Sequence, residues 1–278
     1  MLVALRSRRQ IAPFALHRPA SLAEAVELRS APGTSAFLAG GIDLIDWLKL
    51  GHPIERLIRL DGVAGLDGIA ADADTVRIGA MTRHAAIAAS PLLHHRLPDL
   101  AALWQGVANP RVRFAGTIGG NVMADRSEYD ALPALLALNA EAEIAAGAGT
   151  ERIPLGRLPA LAQPLLAGFV ISEPDTLRLF ADRTLRPAVS VWVGLTVRGE
   201  RVRTLRVAVG MAHPRPVCVT LPLDIPVAAV ESEATSIAAE AARLMPPPAS
   251  DGRAGAEYRR RMIGVLTQRL LARSGVSL

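Results

Sequence analysis

Apolar residues in the first half of the chain fall into short runs that end at glycine, and the stretches between them carry helical spacing. Ser21, with Glu24 three residues on, forms a capping box ahead of Leu22–Leu28, and Gly33 lies beyond the last turn, so a helix is predicted there. Ser35–Ala39 reads as a strand. Asp43–Lys49 reads as a helix that Gly51 and Pro53 stop. Leu57–Leu60 and Val76–Ala80 read as strands, Thr82 as the cap of a helix over Arg83–Ala89, and a further helix runs from about Pro98 to Ala108 until Asn109-Pro110 breaks it. Leu132–Asn139 is a strongly apolar helix and Ala142–Ala145 a strand, which makes this half an α/β assembly.

From about Pro164 the texture changes. Gly168–Ser172, Leu177–Phe180, Ser190–Val197 and Val202–Val209 read as four strands, followed by helices near Ser232–Leu244 and over Ala256–Ala272 with Pro246-Pro247-Pro248 between them. Strands followed by helices, without βαβ alternation, predict a separate α+β domain over 164–278 after a first domain over 1–163.

Two double-glycine loops stand where apolar runs give way to polar chain: Leu38-Ala39-Gly40-Gly41-Ile42-Asp43 and Gly116-Thr117-Ile118-Gly119-Gly120-Asn121. Glycine permits positive φ and close approach to main-chain N–H groups, which suits binding of a pyrophosphate with few cationic side chains. No G-x-G-x-x-G occurs, so the cofactor pattern is not that of a Rossmann unit. In the first loop, helix-opening N–H groups would face an anion, with Asp43 either folded back as N-cap or reaching a ribose hydroxyl. In the second, Thr117 and Asn121 would add hydroxyl and amide donors to a backbone nest. Asp130 is placed as the N-cap of the helix that holds Pro133, a role compatible with a contact to a sugar hydroxyl.

Composition narrows the chemistry. With 278 residues, 50% hydrophobic and 21% charged, the chain can bury two cores. Cys218 is its single cysteine, so no disulfide framework and no cysteine-held cluster or zinc site arises from this chain alone, and the expected compartment is the reducing cytoplasm. The formal charge of +5 spreads over arginines, with Lys49 the one lysine and aromatics at only 4%, a pattern that does not point to nucleic acid. The clusters Arg6-Arg8-Arg9 and Arg259-Arg260-Arg261 read as solvated or subunit-facing surface. No stretch reaches the roughly 20 apolar residues of a membrane span, and Ser7-Arg8-Arg9-Gln10 lacks the apolar region of an export signal. The six histidines show no metal-ligand spacing and no Gly-x-Ser-x-Gly elbow occurs, so no metal and no catalytic side chain is expected.

Phe14–Leu28, Phe37–Leu50, Arg77–Ser90, Asn109–Ala142 and the tail Asp251–Arg260 together resemble the FAD-binding medium subunit of the molybdenum hydroxylases, the carbon monoxide dehydrogenase and xanthine dehydrogenase family. The resemblance spans nearly the whole chain and rests on Ala-Gly-Gly-x-Asp and Thr-Ile-Gly-Gly-Asn in combination, with a following Asp before Leu-Pro-x-Leu-Leu-Ala-Leu. It implies a two-part FAD domain of the type shared with p-cresol methylhydroxylase and vanillyl-alcohol oxidase, with subdomains about 1–60 and 61–163. A smaller C-terminal domain with a three-stranded antiparallel sheet and helices would follow.

The resemblance also implies that Ala39, Gly40, Gly41, Ile42 and Asp43, with Thr117, Ile118, Gly119, Gly120 and Asn121, hold the FAD pyrophosphate. Asp130 would contact the sugar-alcohol chain, Arg183 would approach the flavin from the C-terminal domain, and Leu165 would lie beside the ring. The implied function is electron relay: a small [2Fe-2S] subunit would deliver electrons from a large molybdenum-cofactor subunit, and FAD here would pass them to NAD, a quinone or oxygen. Ile42 stands where the family carries Gln, His or Thr, Met123–Tyr129 is bulkier and more charged than the family's small-residue run, and Gly156–Leu166 is short. Ile42 and the Met123–Tyr129 run keep an FAD-free scaffold subunit in view as an alternative; a stand-alone flavin oxidoreductase is the other, and the lack of a candidate acid or base speaks against it.

Overall fold

Three sheets organise the chain in a computed structural model that describes residues 11–146, 149–160 and 164–273. The Arg6-Arg8-Arg9 cluster and positions 161–163 of the short linker lie outside the described residues. The first sheet is parallel, in the order β1 (Ala15–His17), β3 (Arg56–Arg59), β2 (Ser35–Leu38), with α1 (Leu22–Ser30) and α2 (Ile42–Lys49) as its crossovers. The capping signal at α1 works locally. Ser21 Oγ accepts from Glu24 N–H at 3.1 Å, and Glu24 reaches back to Ala20 N–H at 2.8 Å.

The second sheet is antiparallel, in the order β4 (Ile69–Ala71), β5 (Thr75–Gly79), β8 (Leu166–Ser172), β6 (Glu141–Ala146), β7 (Gly149–Pro154). Between β5 and β6 run six short helices: α3 (His84–Ala89), α4 (Pro91–Arg96), α5 (Pro98–Trp104), α6 (Pro110–Ala115), α7 (Ile118–Met123) and α8 (Ala131–Ala137). Ile78, Phe169, Trp104, Ile118 and Leu135 are fully buried in the core they share with this sheet. Each such side chain contributes about 1.5–3 kcal/mol by leaving water.

The division at 163/164 separates β8 from the sheet to which it is hydrogen-bonded. On β8, Ile171 opposes Val76 of β5 and Phe169 opposes Ala142 of β6. Chain after Pro164 therefore first completes the second sheet.

The third sheet is antiparallel, in the order β12 (Val217–Pro226), β11 (Arg201–Gly210), β10 (Ser190–Arg198), β9 (Leu177–Arg183). Three of these strands, β10 to β12, answer the three-stranded expectation. β9 adds a fourth at the edge. Val191, Val193 and Leu195 face Ile263, Leu266 and Leu270 in the core formed with α9 (Val230–Leu244) and α10 (Ala256–Arg273), while Trp192 and Ala208 point to the core around α8. Gly194 lets α8 sit flat on the sheet, because a Cβ there would stand 2.0 Å from Ala137 O. Arg259, 1% exposed, pairs with Asp251 at 2.7 Å and donates to Ala249 O at 2.8 Å, which pins the start of α10.

Two helix starts differ from the sequence reading. Thr82 does not cap α3; its hydroxyl donates to Gly68 O at 2.9 Å, and Arg83 holds the N-cap position without a side-chain bond. The helix predicted to reach Ala108 ends at Trp104, and Asn109 caps α6 instead, accepting from Val112 N–H at 3.1 Å.

Candidate functional site

The first glycine loop joins β2 to α2. Gly41 is the N-cap residue at φ +75°, a conformation that costs a side-chain-bearing residue, and no side chain caps the helix. Among the described residues none accepts from the N–H groups of Gly40, Gly41, Ile42, Asp43 or Leu44; the first helical bond runs from Ile45 N–H to Gly41 O at 3.1 Å. Five unpartnered donors at the positive end of a helix dipole form a site for an anion.

Asp43 does not act as N-cap. Its Oδ1 accepts from Arg126 Nε at 3.0 Å and from the Tyr129 hydroxyl at 2.6 Å. Burial first, and then the bond to Asp43, push the Tyr129 hydroxyl above its ordinary pKa.

The second loop uses its donors internally. Ile118 N–H donates to Thr82 O at 3.0 Å, Gly119 N–H to Ala80 O at 2.8 Å, Gly120 N–H to Thr117 Oγ1 at 3.1 Å and Asn121 N–H to Thr117 O at 2.9 Å. The sequence reading of a second backbone nest is therefore corrected, because these N–H groups are spent within the fold; Thr117 Oγ1 accepts from Gly120 N–H at the N-cap of α7, and Asn121 Oδ1 accepts from Ala131 N–H at 3.2 Å at the start of α8. The glycines serve close packing. A Cβ on Gly119 would meet Ala80 at 2.7 Å, and one on Gly40 would stand 2.1 Å from Ala115 O, so glycine lets the two loops abut.

A cavity of about 910 Å³ opens along this junction, near the upper end of the roughly 300–1,000 Å³ typical of small-molecule sites. Every residue that the resemblance assigns to the cofactor lines it except Ile118, which is fully buried. Asp130 precedes α8 in helical conformation with no capping bond, contrary to the expected N-cap role. Its carboxyl is raised by burial, which the charge of Arg183 opposes. Leu165 and Arg183 bring the start of β8 and the end of β9 to the same wall.

Among the lining residues that the sequence reading did not assign to the site, His84, Arg126 and Tyr129 carry polar groups into it. His84, 1% exposed, accepts at Nδ1 from Trp104 Nε1 at 3.1 Å, and burial lowers its pKa to about 4. The ring is neutral at pH 7 with its proton on Nε2. Nothing local marks His84. The charged run Met123–Tyr129 was the sole pointer to the other two.

Among the described residues no group of three or more His, Cys, Asp or Glu side chains could hold a metal, and no helix is long and apolar enough to cross a membrane.

Residues 12–172 match the family described as FAD binding domain in molybdopterin dehydrogenase, and residues 186–274 match the CO dehydrogenase flavoprotein C-terminal domain. The chain is 32% identical to the carbon monoxide dehydrogenase medium chain of Afipia carboxidovorans over 94% of this chain and 96% of that one. It is 29% identical to the nicotine 6-hydroxylase medium subunit of Paenarthrobacter nicotinovorans, covering 92% and 95%. Its fold matches a solved carbon monoxide dehydrogenase from Hydrogenophaga pseudoflava that lacks the Mo-pyranopterin moiety, with a TM-score of 0.80 and 27% identity over 94% of this chain and 97% of the other. The chain therefore belongs to the FAD-binding medium subunits of the molybdenum hydroxylase family, which includes the carbon monoxide and xanthine dehydrogenases.

Proposed function

We propose that this chain is the flavin-bearing relay of a heteromeric molybdenum hydroxylase in the cytoplasm. A large subunit with the molybdenum cofactor would oxidise the substrate, a small subunit with [2Fe-2S] clusters would conduct the electrons, and an external acceptor (NAD, a quinone or oxygen) would receive them. FAD, when bound, supplies the ability to take up electrons singly and release them singly or in pairs. The part of this chain is to bind, orient and shield it, and no side chain is required as acid or base.

The observation that carries this reading is the set of unpartnered N–H groups from Gly40 to Leu44 at the head of α2, opening into a cavity large enough for a dinucleotide. Those donors would hold the diphosphate. Ala39 and Gly40, against Thr117, Gly119 and Gly120, would shape the passage beside it, with Asn121 fixing the start of α8. Asp130 would accept from a ribityl hydroxyl, and Arg183 and Leu165 would border the ring. Ile42 contributes its N–H whatever its side chain, which argues against the scaffold reading.

Purification of the native assembly, with assay of flavin, iron and molybdenum, tests the proposal. The expected result is FAD in about one-to-one ratio to this chain, iron and molybdenum on co-purifying chains, and FAD released on denaturation. A chain that purifies alone and takes up no flavin from added FAD overturns it.

A further inference from the structure

The N–H cradle of the first loop contains a difficulty. Asp43 sits in the first turn of α2, among the donors that would receive a dianionic diphosphate. A carboxylate there repels the ligand, and the helix dipole offsets only part of that repulsion.

The chain places a cation on that carboxylate from 83 residues away: Arg126 Nε donates to Asp43 Oδ1 at 3.0 Å, beside the Tyr129 hydroxyl at 2.6 Å. Arg126 also lines the cavity. Two other guanidiniums on the wall have different neighbours, Arg183 beside Asp130 and Arg29 bonded to Ser35 Oγ.

The segment bearing Arg126 is held from the opposite side. Met211 N–H donates to Ser127 O at 2.9 Å, and Arg215 Nη2 meets Asp125 Oδ2 at 2.5 Å. Asp125 at φ +56° and Met211 at φ +65° both occupy the left-handed region that side-chain-bearing residues avoid. Such strain persists where surrounding contacts over-determine it. Residues 125–129 thus form a clasp between α2 and the turn after β11.

We propose that Arg126 is a positioning residue for the cofactor's diphosphate: by neutralising Asp43 it makes the N–H cradle acceptable to a dianion. The proposal rests on the FAD reading. It assigns to the clasp a charge role that a plain structural tie would not have.

The test uses the full-length chain stripped of flavin, titrated with FAD and with ADP as a diphosphate-bearing competitor, alongside thermal unfolding without ligand. Arg126→Gln weakens FAD and ADP by about tenfold each, the loss expected of one charge-assisted interaction. Arg126→Lys retains most of the affinity. Removing the carboxylate as well, in Asp43→Asn/Arg126→Gln, restores FAD binding to within about threefold of the parent, because the repulsion is gone.

Failure of the double variant to recover, or unchanged FAD affinity in Arg126→Gln, overturns the proposal while leaving the FAD reading intact. Absence of FAD binding by the unsubstituted chain overturns both. Should Arg126→Gln alone fail to fold, the comparison of Arg126→Lys and the double variant with the parent decides the matter: binding well below parent in a folded double variant rejects the charge role, and parental binding supports it.

Discussion

The two glycine loops read alike in sequence and do opposite things in the fold. The first leaves the N–H groups of residues 40–44 open at the head of α2, whereas the second spends those of 118–121 on Thr82, Ala80 and Thr117. One double glycine therefore supplies donors, its Gly40 also packing against Ala115 O. The other supplies closeness, with Gly119 against Ala80 beneath the cavity. Two loops that jointly bound a ligand site need not share the binding, because one has to be a rigid floor if the donors of the other are to stay aimed.

The strongest way to break the comparison is at that floor. A Cβ on Gly119 would lie 2.7 Å from both the Cβ and the carbonyl oxygen of Ala80, backbone that cannot turn aside. Gly119→Ala should therefore destabilise the fold by about 3 kcal/mol, at the upper end for overpacking. Denaturant unfolding without FAD measures this. A loss well under 1 kcal/mol would mean that the floor is softer than the contacts imply.

A second, smaller effect comes from His84, whose N–H donates to Gly116 O at 3.2 Å and whose ring lies under the same loop. Burial lowers its pKa from 6.5 to about 4. Between those values the unfolded chain binds a proton that the folded chain refuses, so stability is complete above about pH 6.5 and falls as pH drops toward 4. The difference should reach about 2 kcal/mol at pH 5. His84→Gln, which takes up no proton, should remove that part of the pH dependence in unfolding experiments at pH 7 and pH 5. An unaltered pH dependence would assign it to other groups.

What could be read from sequence was what short range decides. The Ser21–Glu24 capping box and the strand read over Ser190–Val197 both follow from neighbours along the chain. β12 escaped because Pro222 argues against a strand, yet β12 lies at the sheet edge, next to an irregularity in its pairing with β11, where a missing N–H costs little. The membership of β8 depends on ladders to β5 and β6 that no local pattern encodes.

The site divides the same way. Its outline was legible in the glycines, but whether their N–H groups are free depends on Ala80 and Thr82, some 39 and 36 positions before Gly119 and Ile118. The N-cap alternative for Asp43 lost to bonds from Arg126 and Tyr129, more than 80 residues away.

The mildest test separates the backbone requirement of Gly41 from the packing requirement of Gly119. At Gly41 an added Cβ would meet Ile45 and Leu38 side chains at 3.4 and 3.5 Å, ordinary contact, so space does not demand glycine there. The φ of +75° does. Gly41→Ala should cost about 1 kcal/mol of stability, and Gly41→Asn measurably less, because asparagine enters the left-handed region more readily than alanine. Thermal unfolding of both variants without FAD resolves the order. Equal losses for the two would locate the requirement in contact after all, and Gly41 would then need glycine for the same reason as Gly119.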